Sequence, residues 1–232
     1  MNLQADPQKI RRFFKAFEGR RHPMEMKLLE AAKLVGDFEN VRLHCRIEGA
    51  IGEMLAEVLG LDPYDGLSLV QAFLGHDYDK HMELHPEHFT PQELEEIKRA
   101  RSTLCLDEVL LAATKPEFAV RWMHEHDDIS LLEQLMHYVD SICKDDDIVP
   151  LMERIAEVER RKPQRTAEFW DALGQRRYWD VEREMGQEEE HRIWELLTAA
   201  GCEIESPEQV PAWIRSELEA RIAAYVPPED AQ

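Results

Sequence analysis

Leu74-Gly75-His76-Asp77-Tyr78-Asp79-Lys80 is the stretch on which the reading of this chain turns. Leu67, Val70 and Leu74 lie on one face of a helix, and the same period continued reaches Asp77. A histidine and an aspartate therefore close an apolar run. Both are metal-ligand types, and a carboxylate buried without a partner costs several kcal/mol. Upstream, Val41, Ile47, Ile51, Met54, Leu55 and Val58 form the stripe of a helix from about Phe38 to Leu59, stopped by Gly60, and His44 lies on it. Downstream, Ser130 caps a helix whose stripe is Leu132, Leu135, Met136, Val139 and Cys143, and Asp140 falls inside it. A lone histidine on such a stripe is ordinarily a hydrogen-bonded core residue, and a lone aspartate the partner of an arginine. Four groups brought together from three helices argue instead for a metal held by His44, His76, Asp77 and Asp140. The mixed donor set suits one divalent Mn, Fe, Co, Ni or Zn ion, with Mg less favoured. Four protein ligands on an ion that accepts six leave room for water and substrate oxygens.

Helical periodicity recurs along nearly the whole chain and no segment alternates like a strand, so the fold expected is all-α. Asp6-Pro7 starts a first helix with Ile10, Phe13, Phe14 and Phe17 inside, stopping near Gly19. A second follows Pro23, with Met26, Leu29 and Leu34 inside, and breaks at Gly36-Asp37. Asp62-Pro63 starts the helix that ends at the His-Asp pair. His81 to Phe89, with His81, His85 and His88, reads as a loop. Thr90-Pro91-Gln92-Glu93 is a capping box that opens a helix to about Arg101, and an apolar segment runs from Leu104 to Ala113. Lys115-Pro116 opens another helix ending in His124-Glu125-His126-Asp127-Asp128, and one more spans Ile148 to Arg161. Lys162-Pro163 marks the boundary of the core. The organisation read is 1–37 as N-terminal helices packing on the core, 38–162 as the metal-binding core, and 163–232 as a C-terminal helical extension. In that extension Trp170, Trp179, Trp194 and Trp213 read as core residues ahead of a base-stacking platform. Glu188-Glu189-Glu190 reads as a solvated face, and Ser206-Pro207-Glu208-Gln209 as a further capping box.

The chain has 232 residues and a net charge of −20. Such a surface repels phosphate backbones, so long nucleic acid is not an expected partner, whereas a small anion can enter if a cation waits in the site. Cys45, Cys105, Cys143 and Cys202 are scattered without a CxxC pair and read as reduced thiols. With no signal-like N-terminus and no spanning apolar run, a soluble cytoplasmic protein without membrane contact is expected. The oligomeric state is left open, a homo-oligomer among the options.

His44, then His76-Asp77, then Asp140 resembles the H…HD…D signature of the HD superfamily of metal-dependent phosphohydrolases. The likeness extends beyond those four residues. His44-Cys-Arg-Ile-Glu-Gly-Ala-Ile resembles that family's first ligand helix, Phe73-Leu-Gly-His-Asp-Tyr-Asp-Lys80 its "LLHDxxK" segment, and Ile129 to Asp140 its last ligand helix. The resemblance covers about Phe38 to Arg161; His126-Asp127 repeats the dipeptide by chance. It implies an HD-type helical bundle around the metal and hydrolysis of a nucleotide or other small phosphate ester by metal-activated water. The separations, 32 residues from His44 to His76 and 63 from Asp77 to Asp140, look like those of the small nucleotidases. That branch has a glutamate where this chain has Lys80. A lysine there is shared with dinucleotide-tetraphosphate hydrolases, so the branch stays open.

In this reading Asp77, Lys80 and Asp79 serve catalysis. Lys80 contacts phosphate, and Asp79 either orients a water or a ligand histidine or caps a turn. His124, His126, Arg99 and Arg101 are candidates for holding substrate. Glu48 is read as an ordinary surface ion pair ahead of a supporting role at the metal. Arg160-Arg161-Lys162 complements a helix end. Dinuclear branches carry a further histidine, which the stretch from Thr90 to Thr114 lacks, so one metal is expected. The rival readings are a degenerate nucleotide-binding or regulatory module, with the acidic extension as its partner surface, and a di-iron oxygenase of the same fold.

Overall fold

Acceptor side chains just ahead of prolines start the early helices. In the computed structural model Asp6 accepts from the Gln8 amide at the head of α1 (Pro7–Gly19), and Asp62 from the Tyr64 amide at the head of α4 (Pro63–Gly75). The structure describes residues 3–31, 39–104 and 106–227. Between those two helices lie α2 (Pro23–Ala31) and α3 (Glu39–Val58). Leu34, Gly36-Asp37, Phe38 and Cys105, named above, lie outside the described residues. Gly60 closes α3 with a φ of +62°, a conformation in which a side chain would be strained.

The chain continues through α5 (Lys80–Leu84), α6 (Pro91–Leu104), α7 (Glu108–Ala113), α8 (Glu117–Glu125) and α9 (Leu131–Ile142). After α10 (Leu151–Arg161) come α11 (Arg165–Phe169), α12 (Tyr178–Ala199) and α13 (Val210–Ala224). The fold is an all-α helical bundle. Ser130 opens α9 with a full capping box: its hydroxyl accepts from the Glu133 amide while Glu133 reaches back to the Ser130 amide. Every residue of α9 from Glu133 to Val139 is buried, because α3, α4, α7, α10 and α12 all pack on it. The last helix returns to the first. Lys9 Nζ donates to the Ala223 carbonyl at 2.7 Å, and the rings of Phe13 and Tyr225 meet edge to face. Among the described residues no helix is long and apolar enough to cross a membrane.

Several local expectations are corrected. The segment after Lys80 is not a loop: α5 and a 3-10 turn at Pro86–His88 coil it, and His81 is fully buried. Ile148 does not begin a helix, and Cys143 does not continue one. They pair across a two-stranded antiparallel hairpin, β1 (Cys143–Lys144) with β2 (Asp147–Ile148), turned by Asp145 at a φ of +53°. The Arg215 guanidinium on α13 ties that hairpin down through Asp147 and the Ile148 carbonyl. Ser206 forms no capping box; a 3-10 turn at Pro207–Gln209 leads into α13. Of the extension's tryptophans Trp179 is buried, Trp194 and Trp213 pack partly against the core, and Trp170 is exposed.

α3, which carries His44, packs extensively against α4, whose end leads into His76. That packing depends on glycine. A Cβ at Gly52 would stand 2.7 Å from Phe73 Cδ2, and one at Gly49 would stand 2.9 Å from Leu74 Cδ2. Gly52→Val therefore forces the pair apart at an expected cost of about 1–3 kcal/mol, a loss of roughly 2–4 °C in Tm per kcal/mol in a chain of this size. Thermal unfolding followed by circular dichroism checks it, and an unchanged Tm would contradict the close approach.

Candidate metal centre

α3, the turn after α4, and α9 bring their ionisable side chains to one buried point. His44 Nε2 lies 3.0 Å from Asp140 Oδ1 and 3.1 Å from Glu48 Oε1. His76 Nε2 lies 3.4 Å from Asp77 Oδ2, 3.5 Å from Glu48 Oε2 and 3.7 Å from Asp140 Oδ1. Bonds of about 2.0–2.2 Å to a first-row ion place neighbouring donors roughly 3–3.5 Å apart, so the spacing fits one ion. His44, Glu48, His76 and Asp140 form a group within metal-binding distance, compatible with an HD-type site. Asp77 adjoins it through His76, and its other engagement is an ion pair with Lys80.

Glu48 is what the sequence reading undervalued. It is not a surface residue: its exposure is 0 %, and both carboxylate oxygens lack a hydrogen-bond partner. The His76 Nε2 is likewise buried and unpartnered. Orphaned lone pairs on a carboxylate and an imidazole around one point are what a cation would satisfy. The His76 Nδ1–H donates to the Phe73 carbonyl at 3.0 Å, which turns Nε2 toward the carboxylates as the ligating nitrogen. The available signal was the spacing His44-x-x-x-Glu48, one helical turn on a face already read as apolar.

Electrostatics shows the same demand for positive charge. Burial alone would push both imidazoles down, but Glu48 with Asp140 holds His44 above its ordinary value, and Asp77 with Glu48 holds His76 well above it. Asp77 and Asp140 stay well below the usual carboxylate range despite burial, Asp77 through His76 and Asp140 through its hydrogen bond from His44. Glu48 goes the other way. Burial outweighs its histidine neighbours and raises it to about 7.

A cleft of about 470 Å³ opens beside the centre and is lined by His44, Asp77 and Asp140 together with Asp79 and Lys80. Asp79 makes no capping hydrogen bond at the head of α5. The other expected substrate residues lie elsewhere. His124 Nε2 meets the Ala172 carbonyl at 3.1 Å and His126 meets Glu188, so both brace the extension. Arg101 pairs with Glu108 and stands over the Tyr78 ring, while Arg99 is exposed outside the cleft lining. His85, Glu87 and His88 make a separate, partly exposed group, with His81 Nε2 bridging to His88 at 3.0 Å.

The acidic run of α12 is corrected too. Glu189 and Glu190 are buried, because α12 packs on α9. His137 sits between two carboxylates, Nδ1 at 2.6 Å from Glu189 and Nε2 at 3.2 Å from Glu182, and Tyr138 donates its hydroxyl proton to Glu190 at 2.9 Å. Burial would lower His137, but Glu189 and Glu182 hold it well above its usual value. Burial raises Glu189 to about 6 and Glu190 to about 7, whereas Glu182 is lowered because His137, Tyr178 and Arg165 together outweigh its burial. A carboxyl raised in the folded state binds its proton more tightly there than unfolded, so it costs stability once pH passes its unfolded value and fully above its folded value. Glu190→Gln keeps an acceptor for Tyr138 and removes that cost. It should match the wild type at pH 4 and exceed it by on the order of 1 kcal/mol at pH 8, read from denaturant unfolding at the two pH values.

Comparison of the chain with protein-family models, with curated proteins and with solved structures returns no match.

Proposed function

We propose that this chain is a metal-dependent phosphohydrolase acting on a nucleotide or other small phosphate ester. The observation that carries the reading is the buried, hydrogen-bond-orphaned donor set of Glu48 and His76, with His44 and Asp140, opening onto a cleft that presents Lys80. His44, Glu48, His76 and Asp140 would hold one divalent transition ion, with Asp77 beside them. Such an ion supplies Lewis acidity toward water and a phosphoryl oxygen. Asp77 draws the Lys80 ammonium to the edge of the centre, and half of the lysine side chain stays exposed to the cleft. There it can oppose phosphate charge as it develops. Asp79, one residue earlier and without a capping bond, can accept a hydrogen bond from water or from a substrate hydroxyl.

The test is phosphate release by the full chain reloaded with Mn, Co, Ni or Zn, across a panel of nucleotides and sugar phosphates. Release is expected with at least one metal, and Asp140→Ala should lower it by about a hundredfold or more. A protein that binds metal and nucleotide yet releases no phosphate from any compound would be a binding module instead.

A further inference from the structure

The cleft has a charge balance that the rest of the chain does not. Its lining holds six lysines and arginines against five aspartates and glutamates, in a chain with 28 against 48. The acids are accounted for in part: Asp77 and Asp140 belong to the metal centre, and Glu182 is matched to His137. Among the cations, Lys80 pairs with Asp77, and Arg154 and Arg161 share Glu157. Lys115 and Lys162 form no ion pair among the described residues, and Arg165 hydrogen-bonds the Tyr178 hydroxyl and attracts Glu182 without a direct ion pair. The three come from two places, the turn before α8 and the short turn that joins α10 to α11. An isolated exposed lysine means little; two lysines without an ion pair and an arginine only partly offset by Glu182, around one cavity in so acidic a chain, form an electrostatic trap. The Arg165 guanidinium is already placed, 5.6 Å from the Tyr178 ring centre and 5.5 Å from that of Trp179. The indole Nε1 of Trp179, in the same lining, is buried without a hydrogen-bond acceptor.

We infer that the substrate carries at least two phosphate groups, one at Lys80 beside the metal centre and a second held by Lys115, Lys162 and Arg165. The inference rests on the proposed hydrolysis and specifies its substrate class. A single phosphate is met by Lys80 and the metal centre alone and leaves the second cluster unused. The extension, through Arg165, Tyr178 and Trp179, then acts in selecting substrate.

The metal-loaded full chain is titrated calorimetrically with methylphosphonate and with a series of linear alkane bisphosphonates of increasing chain length, none of which can be hydrolysed at its C–P bond. At least one bisphosphonate should bind about tenfold or more tighter than methylphosphonate. Lys115→Ala/Lys162→Ala should remove most of that preference, and adding Arg165→Ala should remove the rest, with methylphosphonate affinity unchanged within about twofold. The double variant alters exposed side chains and serves if the triple fails to fold. Equal binding of one and two phosphonates, or a preference that survives in these variants, overturns the inference. Phosphate release is measured on the same preparations. Release from monoesters without a two-phosphonate preference leaves the hydrolase reading standing and removes this one; the preference without release from any ester supports the second anion site and removes the hydrolase.

Discussion

Glu48→Gln will raise the melting temperature of the metal-free protein and, in the same variant, destroy its response to metal. The carboxylate is fully buried with neither oxygen hydrogen-bonded. Replacing it with an uncharged amide of the same shape removes a desolvation cost of about 1–3 kcal/mol, several degrees in Tm. His44 and His76 do not lose their counter-charge, since Asp140 and Asp77 remain within 3.0 Å and 3.4 Å. With an ion bound, the balance reverses: an anionic donor has gone, and affinity should fall by more than about a hundredfold. Calorimetric melting with and without added Zn or Mn shows both effects at once. A lower metal-free Tm, or an undiminished metal-induced rise, would mean that Glu48 is a structural acid and not part of the centre.

Lys80→Met should lower kcat/KM on a phosphate ester by about 10²–10³ while metal content stays near that of the wild type. The ammonium is not a donor to the ion; it stands between Asp77 and the cleft. Lys80→Arg should retain more activity than Met, because it keeps the charge but not the shape. Metal content distinguishes two roles. If it drops together with activity, Lys80 works as the prop of Asp77, whose buried carboxylate would otherwise have lost a cation, and the phosphate contact is not needed to explain the loss.

The helical core was legible because period and polarity coincide over long segments. His44, His76 and Asp140 interrupt apolar stripes, and an interruption on a buried face is visible without coordinates. Glu48 interrupts a stripe too. A carboxylate one turn from a histidine has the same spacing as an ordinary exposed i,i+4 pair, so sequence alone does not separate the two. The two-residue strands at Cys143 and Asp147 are too short for alternation to register, and α5 holds barely more than one turn. Glu189 and Glu190 looked solvated because their partners, His137 and Tyr138, are each 52 residues away in sequence. The cations of the cleft were hidden in the same way. Arg161 and Lys162 end a helix, where positive charge is expected for its own sake, and only the packing of α10, α11 and α12 turns them toward a common space.

His137 and Asp140 are three residues apart on α9, one turn of helix between the grip of α12 and the metal centre. The contacts of α12 with α9 thus cross the boundary read at Lys162-Pro163. A fragment ending there would leave the His137 imidazole without either of its carboxylates and the Tyr138 hydroxyl without its acceptor, both on the helix that supplies Asp140. Shortened or recombined versions of this protein should be expected to keep α12 with the core, and a selectivity change grafted by exchanging the C-terminal segment would have to carry His137 and Tyr138 along with it.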